Sequence, residues 1–432
     1  MAPGADTGPS PSRLAGALEE MNAGLDARLA RADARLRRDY PGADGGRQPV
    51  HTVYVPADRI RRGLAAAWGE QAVAALRAFA PGAAELAAAT GLEEADVAAA
   101  LPRVLAKLDR EPVEDLRVDA EDGYGVRTDD EEDAHVGAAA AALGADVAAG
   151  TAPPGVGIRM KGMEAEGRRR GTRSLALFLS GLLEAAGGLP EGLRITLPKI
   201  TSVEQVEAAA WALARMERLF GLAEGRLRFE LQVETPQCVI GPGGTADLAR
   251  MVRAGGGRVT ALHFGTYDYT AACGVTAAHQ AMDHPAADYA KAVMQVAAAG
   301  TGVRLSDGAA NVLPVGAAEQ VHAAWRLHTR LVVRSLERAF YQGWDMHPHQ
   351  LPTRYLATYV FYRRAFGPAA ARLADYLGSV GGTVLDEPAT AQALAAVLTR
   401  GLQCGALDEP EVAAACGAGA DDLAALAQRR VG

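Results

Sequence analysis
Glu234, in LQVETPQCVIGP, and Asp268, in ALHFGTYDYTAACGV, each close a short apolar run that reads as a buried strand. The 34 positions from one to the other fit a single strand–helix–strand unit. In a parallel sheet both carboxylates then emerge at the same, C-terminal edge. Two hard oxygen ligands side by side, with room for water and substrate, suit Mg²⁺ better than Zn²⁺, with Mn²⁺ as the alternative ion. The plainer alternative is that the two acids only cap the helices that follow them.

Around these positions strands and helices alternate. Strand candidates are HTVYV (51–55), stopped by Pro56 and Asp58, then 115–122, 155–162, 194–199, 228–234, 259–265, 311–316 and the short 344–348. Ala-rich helical patterns fill 134–149, 172–187, 202–221, 245–254, 285–299 and 317–341. Further helices are expected over 59–80 and, as an insertion, around 91–108. Eight strands alternating with helices predict an α/β fold with a parallel sheet, and eight is the number that closes a TIM (β/α)8 barrel. An open doubly wound sheet is the alternative, weakened because no GxGxxG follows the first strand.

Residues 1–12 read as disordered and 13–37 as a helix. From 353 onward no strand pattern returns; helices are expected over 353–377, 388–403 and 408–429, with a Gly-rich break at 378–388. The expected organisation is a tail and N-terminal helix over 1–48, a barrel catalytic domain over 49–352, and a helical C-terminal extension over 353–432. That extension reads as a lid or an oligomer contact.

Composition narrows the partners. The 432-residue chain has a net charge of −8, which argues against a nucleic-acid binder. Apolar residues make up 49% and aromatics only 5%, so the core is expected to be Ala, Leu and Val. Cys238, Cys273, Cys404 and Cys416 show no metal spacing, so neither zinc nor a disulfide framework is indicated. No apolar run approaches the ~20 residues that span a bilayer. The N-terminus lacks a secretory pattern, so a cytoplasmic location and no membrane partner are expected.

The predicted strand ends carry polar groups. The second offers Asp119, Glu121 and Asp122; the third, Arg159 with Lys161 beyond it; the fourth, Lys199; the fifth, Glu234; the sixth, Asp268; the eighth, His347. A ring of carboxylates around a cation, with Arg and Lys opposite, suits a small dianionic oxo acid. A metal that polarises a 2-oxo group stabilises an enolate, which is the requirement of aldol and retro-aldol chemistry. Bland alternatives stand beside this. Glu121 and Asp122 also read as a solvated acidic loop, Arg159 as their structural ion-pair partner, and DDEED (129–133) as an exposed helix start.

The strings HTVYVPADR, LRVDAEDGYG, GIRMKG, ITLPKITSVEQV, VETPQCV, FGTYDYTAACGV and GWDMHPHQL, in this order over residues 51–350, resemble the citrate lyase β-subunit-like (HpcH/HpaI aldolase) family, relatives of malyl-CoA lyases and malate synthases. The resemblance implies a TIM barrel and a Mg²⁺-dependent carbon–carbon lyase acting through an enolate. It implies that Glu234 and Asp268 ligate the metal and that Arg159 binds the oxo acid's carboxylate. Glu121 and Asp122 then hold metal-bound water. Lys199, Gly265 and Thr266 are the further substrate-binding candidates. GGTVLDEPATAQA (381–393) resembles a segment of the acyl-CoA-using members, which makes Asp386 the candidate base on a lid; its alternative is a helix cap. The chain departs from the family pattern in Gly-Tyr-Gly after the acidic strand and in Glu-Thr-Pro-Gln at the metal motif.

The expected partners are a small oxo or hydroxy acid, an acyl-CoA as a candidate second substrate, and further copies of the chain as a trimer or hexamer. Three other readings stay open: a thioesterase of the malyl-CoA type, a Schiff-base aldolase using Lys161 or Lys199, and a non-catalytic metal- or metabolite-binding barrel.

Overall fold
The computed structural model describes residues 10–378 and 388–428. Eight parallel strands close a barrel in chain order: β1 (His51–Pro56), β2 (Asp115–Asp119), β3 (Gly155–Arg159), β4 (Leu193–Leu197), β5 (Phe229–Val233), β6 (Val259–Phe264), β7 (Arg304–Ala309) and β8 (Gln342–Asp345). β1 pairs with both β2 and β8, which closes the ring. The barrel is therefore the one expected, and the open sheet is not formed.

The pleat sorts each strand into two faces. Val53 and Val55, Leu116 and Val118, Val156 and Ile158, Ile195 and Leu197, Leu231 and Val233, and Leu262 and Phe264 are buried in the main apolar core. The alternate residues point into the lumen, as contacts between non-adjacent strands demonstrate. Arg117 of β2 donates to Glu230 of β5 at 3.0 Å, and Trp344 of β8 donates to His263 of β6 at 3.2 Å. Arg117 also pairs with Asp115, and Thr196 of β4 donates to Glu230 at 2.6 Å. The lumen is thus filled by a polar, charge-paired network, and the apolar core lies between sheet and helices.

One strand was misplaced by sequence. The expected run 311–316 is loop, with Val312, Leu313 and Val315 exposed; β7 is Arg304–Ala309 instead. The reason is polarity. Asp307 of β7 is buried against Lys291 (3.0 Å) and Ser335 (2.7 Å) of flanking helices, so an apolar-run criterion passes over it. Other strands end earlier than expected; β2 stops at Asp119 and β8 at Asp345, so His347 lies two residues past its strand. The insertion near 91–108 is two helices, Ala83–Thr90 and Glu94–Arg110. The expected helix 408–429 breaks into Glu409–Cys416 and Ala420–Ala427, where Gly417 adopts φ 73°.

The first helix, α1 (Pro11–Asp39), buries none of its residues. The C-terminal helices Leu351–Leu377, Pro388–Cys404, Glu409–Cys416 and Ala420–Ala427 share a second apolar cluster that includes Leu373, Leu398, Val412 and Leu423. Among the described residues no single helix is long and apolar enough to cross a membrane.

Arg117 is the only cation bonded to both Asp115 and Glu230 among the described residues. Arg117→Leu is expected to leave two carboxylates buried without it and to cost roughly 3–5 kcal/mol, read as a lower urea midpoint. An unchanged midpoint would contradict this account of the lumen.

Candidate active site
Each strand ends at the same mouth, so the polar groups that sequence placed at strand ends do converge. Asp119, the last residue of β2, accepts two parallel bonds from Arg159, the last residue of β3: Nε–Oδ1 at 2.7 Å and Nη2–Oδ2 at 2.6 Å. This fork geometry fixes the guanidinium plane. The plane lies over the Tyr54 ring, 4.8 Å from its centroid, with Trp344 at 5.9 Å. Nη1 is left, 3.6 Å from Glu121. The structural ion pair considered for Arg159 therefore exists, chiefly with Asp119 and more loosely with Glu121.

Lys199 is the centre of the cluster. It follows β4 with φ 51°, in the left-handed region that a non-glycine residue rarely adopts. Its Nζ donates to Glu121 Oε1 at 2.7 Å and Asp122 Oδ2 at 2.6 Å, and lies 3.7 Å from Asp268. Its backbone N–H donates to Glu234 Oε1 at 2.6 Å. One residue thus touches four carboxylates through two different groups. Burial works against its charge, but the bonds it donates to Asp122 and Glu121 outweigh it and hold the ammonium protonated. Lys161 is also occupied: Nζ donates to Ala120 O at 2.7 Å and pairs with Glu132 at 2.9 Å.

Glu234, just past β5, is buried; besides Lys199 N it accepts from Gln232 Nε2 at 3.2 Å. No salt bridge reaches it among the described residues. Burial drives its carboxyl up to about 8, and the nearby Lys199 and Arg159 charges do not offset that. Burial also raises Glu121 and Asp268 above the usual carboxylate range. For Asp122, burial is outweighed by the bond from Lys199, and its carboxyl lies below that range.

Gly265 and Thr266 lie at the same mouth, directly after β6. A Cβ on Gly265 would stand 2.5 Å from both Cβ and Oε2 of Glu234, so the missing side chain is what gives Glu234 its place. Among the described residues Thr266 Oγ1 is buried without a hydrogen-bond partner, as is Gln232 Oε1. His347 turns away into its own backbone turn: its Nδ1 accepts from His349 N at 3.1 Å, and burial followed by His349 lowers it to about 4. Asp386 lies outside the described residues. Sequence reasoning missed Tyr54, Trp344 and Gln232; the signal was there in polar residues at every second position, as in Glu230, Gln232 and Glu234.

The donor set fits a divalent cation held by Glu234 and Asp268. Both offer carboxylate oxygens, and the cluster already draws one cation, the Lys199 ammonium, among its acids. The orphaned Gln232 Oε1 beside Glu234 leaves a further acceptor for bound water. Among the described residues no three acids, His or Cys form a ready-made cage, so water and substrate would complete the shell.

The chain belongs to the family described as "Domain of unknown function (DUF6986)", whose model matches residues 29–431. No curated protein matches it. Among solved structures, a citrate lyase from Burkholderia xenovorans LB400 is 20% identical, with a TM-score of 0.54 over 72% of this chain and 91% of that one. Haloferax volcanii malate synthase in a magnesium/glyoxylate complex is 16% identical, with a TM-score of 0.48 over 87% and 97%. CitE from Mycobacterium tuberculosis, in complex with magnesium, acetoacetate and coenzyme A, is 16% identical, with a TM-score of 0.43 over 84% and 99%. The citrate lyase shares this chain's fold, a distant structural relationship.

Two predictions follow from Glu234. Its folded pKa, about 8, is above the ordinary 4.5, so the folded state binds the extra proton. Stability in metal-free protein is therefore fully present below 4.5 and is lost as pH rises through 8, by roughly 5 kcal/mol at most. Glu234→Gln is expected to match the parent in thermal unfolding at pH 5 in EDTA and to exceed it at pH 9; equal curves at both values would refute the burial account. Gly265→Ala is expected to displace Glu234, to weaken Mn²⁺ binding at least tenfold by calorimetry, and to lower stability by about 1–3 kcal/mol through the clash with Glu234 Cβ.

Proposed function
We propose that the chain is a divalent-cation-dependent carbon–carbon lyase or aldolase that makes or breaks a bond to a small 2-oxo acid. The observation that carries this is the carboxylate excess at the barrel's C-terminal mouth. Glu234, Asp268, Glu121 and Asp122 gather there around a single ammonium, with a guanidinium edge opposite. Active sites of such barrels lie at this end. The citrate lyase that shares the fold supports the reaction class.

Glu234 and Asp268 would hold Mg²⁺ or Mn²⁺, which when bound supplies Lewis-acid polarisation of the 2-oxo group. Arg159, pinned by Asp119 on two nitrogens, offers Nη1 to the substrate's carboxylate. Lys199 orients Glu121 and Asp122 and keeps them from repelling each other, so that they can hold water at the mouth. Tyr54 and Trp344 close the lumen beneath the guanidinium and exclude water from below. Asp386 is proposed as the base that takes a proton from an acyl partner, with an acyl-CoA as the partner class. A homo-oligomer remains part of this reading.

Schiff-base catalysis is disfavoured. An attacking lysine must be neutral, whereas Lys199 is held protonated by its acid partners and Lys161 is paired with Glu132.

The test is proton NMR of pyruvate in D₂O with the protein and Mg²⁺. Methyl deuteration is expected to need the metal and to fall at least a hundredfold in Glu234→Ala and Asp268→Ala, with the far-ultraviolet dichroism retained. If pyruvate does not exchange, acetyl-CoA with glyoxylate is the second pair, read as release of free thiol and condensed acid. Exchange or condensation that survives in the metal-free double variant refutes the proposal, as does inertness of both pairs.

A further inference from the structure
The helix α1 runs for 29 residues and buries none of them. It is tied to the barrel at its C-terminal end, where Arg253 donates to the Tyr40 hydroxyl at 2.5 Å and lies 3.8 Å from Asp39. In proteins most of a helix's stability comes from packing an apolar face, and this helix packs none. Yet its sequence is not that of a solvated rod. Leu14, Leu18, Met21, Leu25, Leu29 and Leu36 are 43% to 60% exposed. With Ala32 they recur at intervals of four, three, four, four, three and four residues.

That spacing is two successive 11-residue repeats. At 3.67 residues per turn it keeps the seven positions within about 65° of arc on a nearly straight helix. The stripe is also a palindrome centred on Leu25. Turned end for end, Leu14 falls on Leu36, Leu18 on Ala32, Met21 on Leu29 and Leu25 on itself. Large side chains thereby meet a small one at Ala32, as interdigitating packing requires.

The charges are divided in the same sense. The half before Leu25 carries Arg13 against Glu19 and Glu20; the half after it carries Arg28, Arg31, Arg35, Arg37 and Arg38 against Asp26, Asp33 and Asp39. An end-for-end pair sets the acidic half of each helix beside the basic half of the other, and opposes the two helix dipoles. Glu20 falls on the flank of the partner's Arg28 and Arg31. Over the whole helix, six arginines nearly balance five acids, which is a poor match for an anionic lipid surface.

From the palindrome and the divided charge we infer that α1 is a homodimerisation element: two copies of the chain pair through it, antiparallel, about a twofold axis at Leu25. The two barrels, each joined to its helix at Tyr40, then stand at opposite ends of the pair. The apolar seam from Leu14 to Leu36 is about 33 Å long.

The test uses the full chain in a Cys273→Ser background, because Cys273 is the exposed cysteine while Cys238, Cys404 and Cys416 are buried. Leu25→Cys is expected to form a disulfide-linked dimer rapidly on mild oxidation. Leu14→Cys alone is expected not to, because its neighbour across the seam is Leu36. Light scattering should find an even-numbered assembly of the 44.9-kDa chain. Met21→Glu with Leu25→Glu should weaken that pairing at least a hundredfold, leaving half the mass with the barrel's melting temperature unchanged. Rapid self-crosslinking of Leu14→Cys would mean a parallel pair and overturn the inference. So would an unchanged mass in the double variant, or a monomeric parent that binds anionic vesicles through α1.

Discussion
The mouth of this barrel holds more negative charge than its own cations can neutralise, and much of the local structure answers to that imbalance. Asp119 takes up Arg159 on two nitrogens, and Glu121 and Asp122 take up Lys199. Among the described residues Glu234 is left with only a backbone N–H and an amide. A buried carboxylate so placed either keeps its proton or waits for a cation. The left-handed backbone at Lys199 makes sense in these terms, because it aims the N–H at Glu234 while the side chain reaches three other acids. Strain at that residue is what lets one lysine serve four carboxylates.

The lumen below explains how such a mouth is held steady. Small TIM barrels are usually filled by branched apolar side chains, whereas here Arg117, Glu230, Thr196, Tyr54 and His263 form a hydrogen-bonded column. Burial alone would protonate Glu230, but the Arg117 charge beside it holds its carboxyl well below the usual carboxylate range. A directional network of this kind fixes ring planes as well as positions. The Tyr54 and Trp344 rings, 4.5 Å apart, rest on that column and in turn support the face of Arg159. The order of causes runs from charge pairs in the lumen, through aromatic orientation, to the Arg159 guanidinium buried at the mouth.

Much of this was legible in the amino-acid sequence, for a definite reason. Six strands, β1 to β6, face the helices with Val, Ile, Leu or Phe at alternate positions, and those runs located them, whereas β8 was met only at its last two residues, Trp344 and Asp345. β7 was missed, because Asp307 on that strand is paired with Lys291 instead of being apolar. The acids at strand ends were found because a residue that closes an apolar run must sit at the mouth. Their partners were not found, because pairing depends on register. That Asp119 rather than Glu121 takes Arg159 follows from β2 and β3 standing Asp119 opposite Arg159, which no single-strand pattern contains. The role of Gly265 was hidden for the opposite reason. It acts through an absent side chain, and only its approach to Glu234 reveals it.

These points bear on what kind of protein tolerates such a site. A carboxylate that resists ionisation costs folding free energy at neutral pH and above, and a barrel selected for stability alone would replace it with an amide or an apolar residue. The lumen shows that this chain can satisfy buried acids fully when nothing else is required of them, as Arg117 does for Glu230. At the mouth the same means are withheld from Glu234: Arg159 is committed to Asp119, and the Lys199 ammonium is turned toward Glu121 and Asp122. An under-neutralised carboxylate beside orphaned polar oxygens, in a structure that neutralises its other buried acids, is the arrangement expected where the missing positive charge arrives from solution.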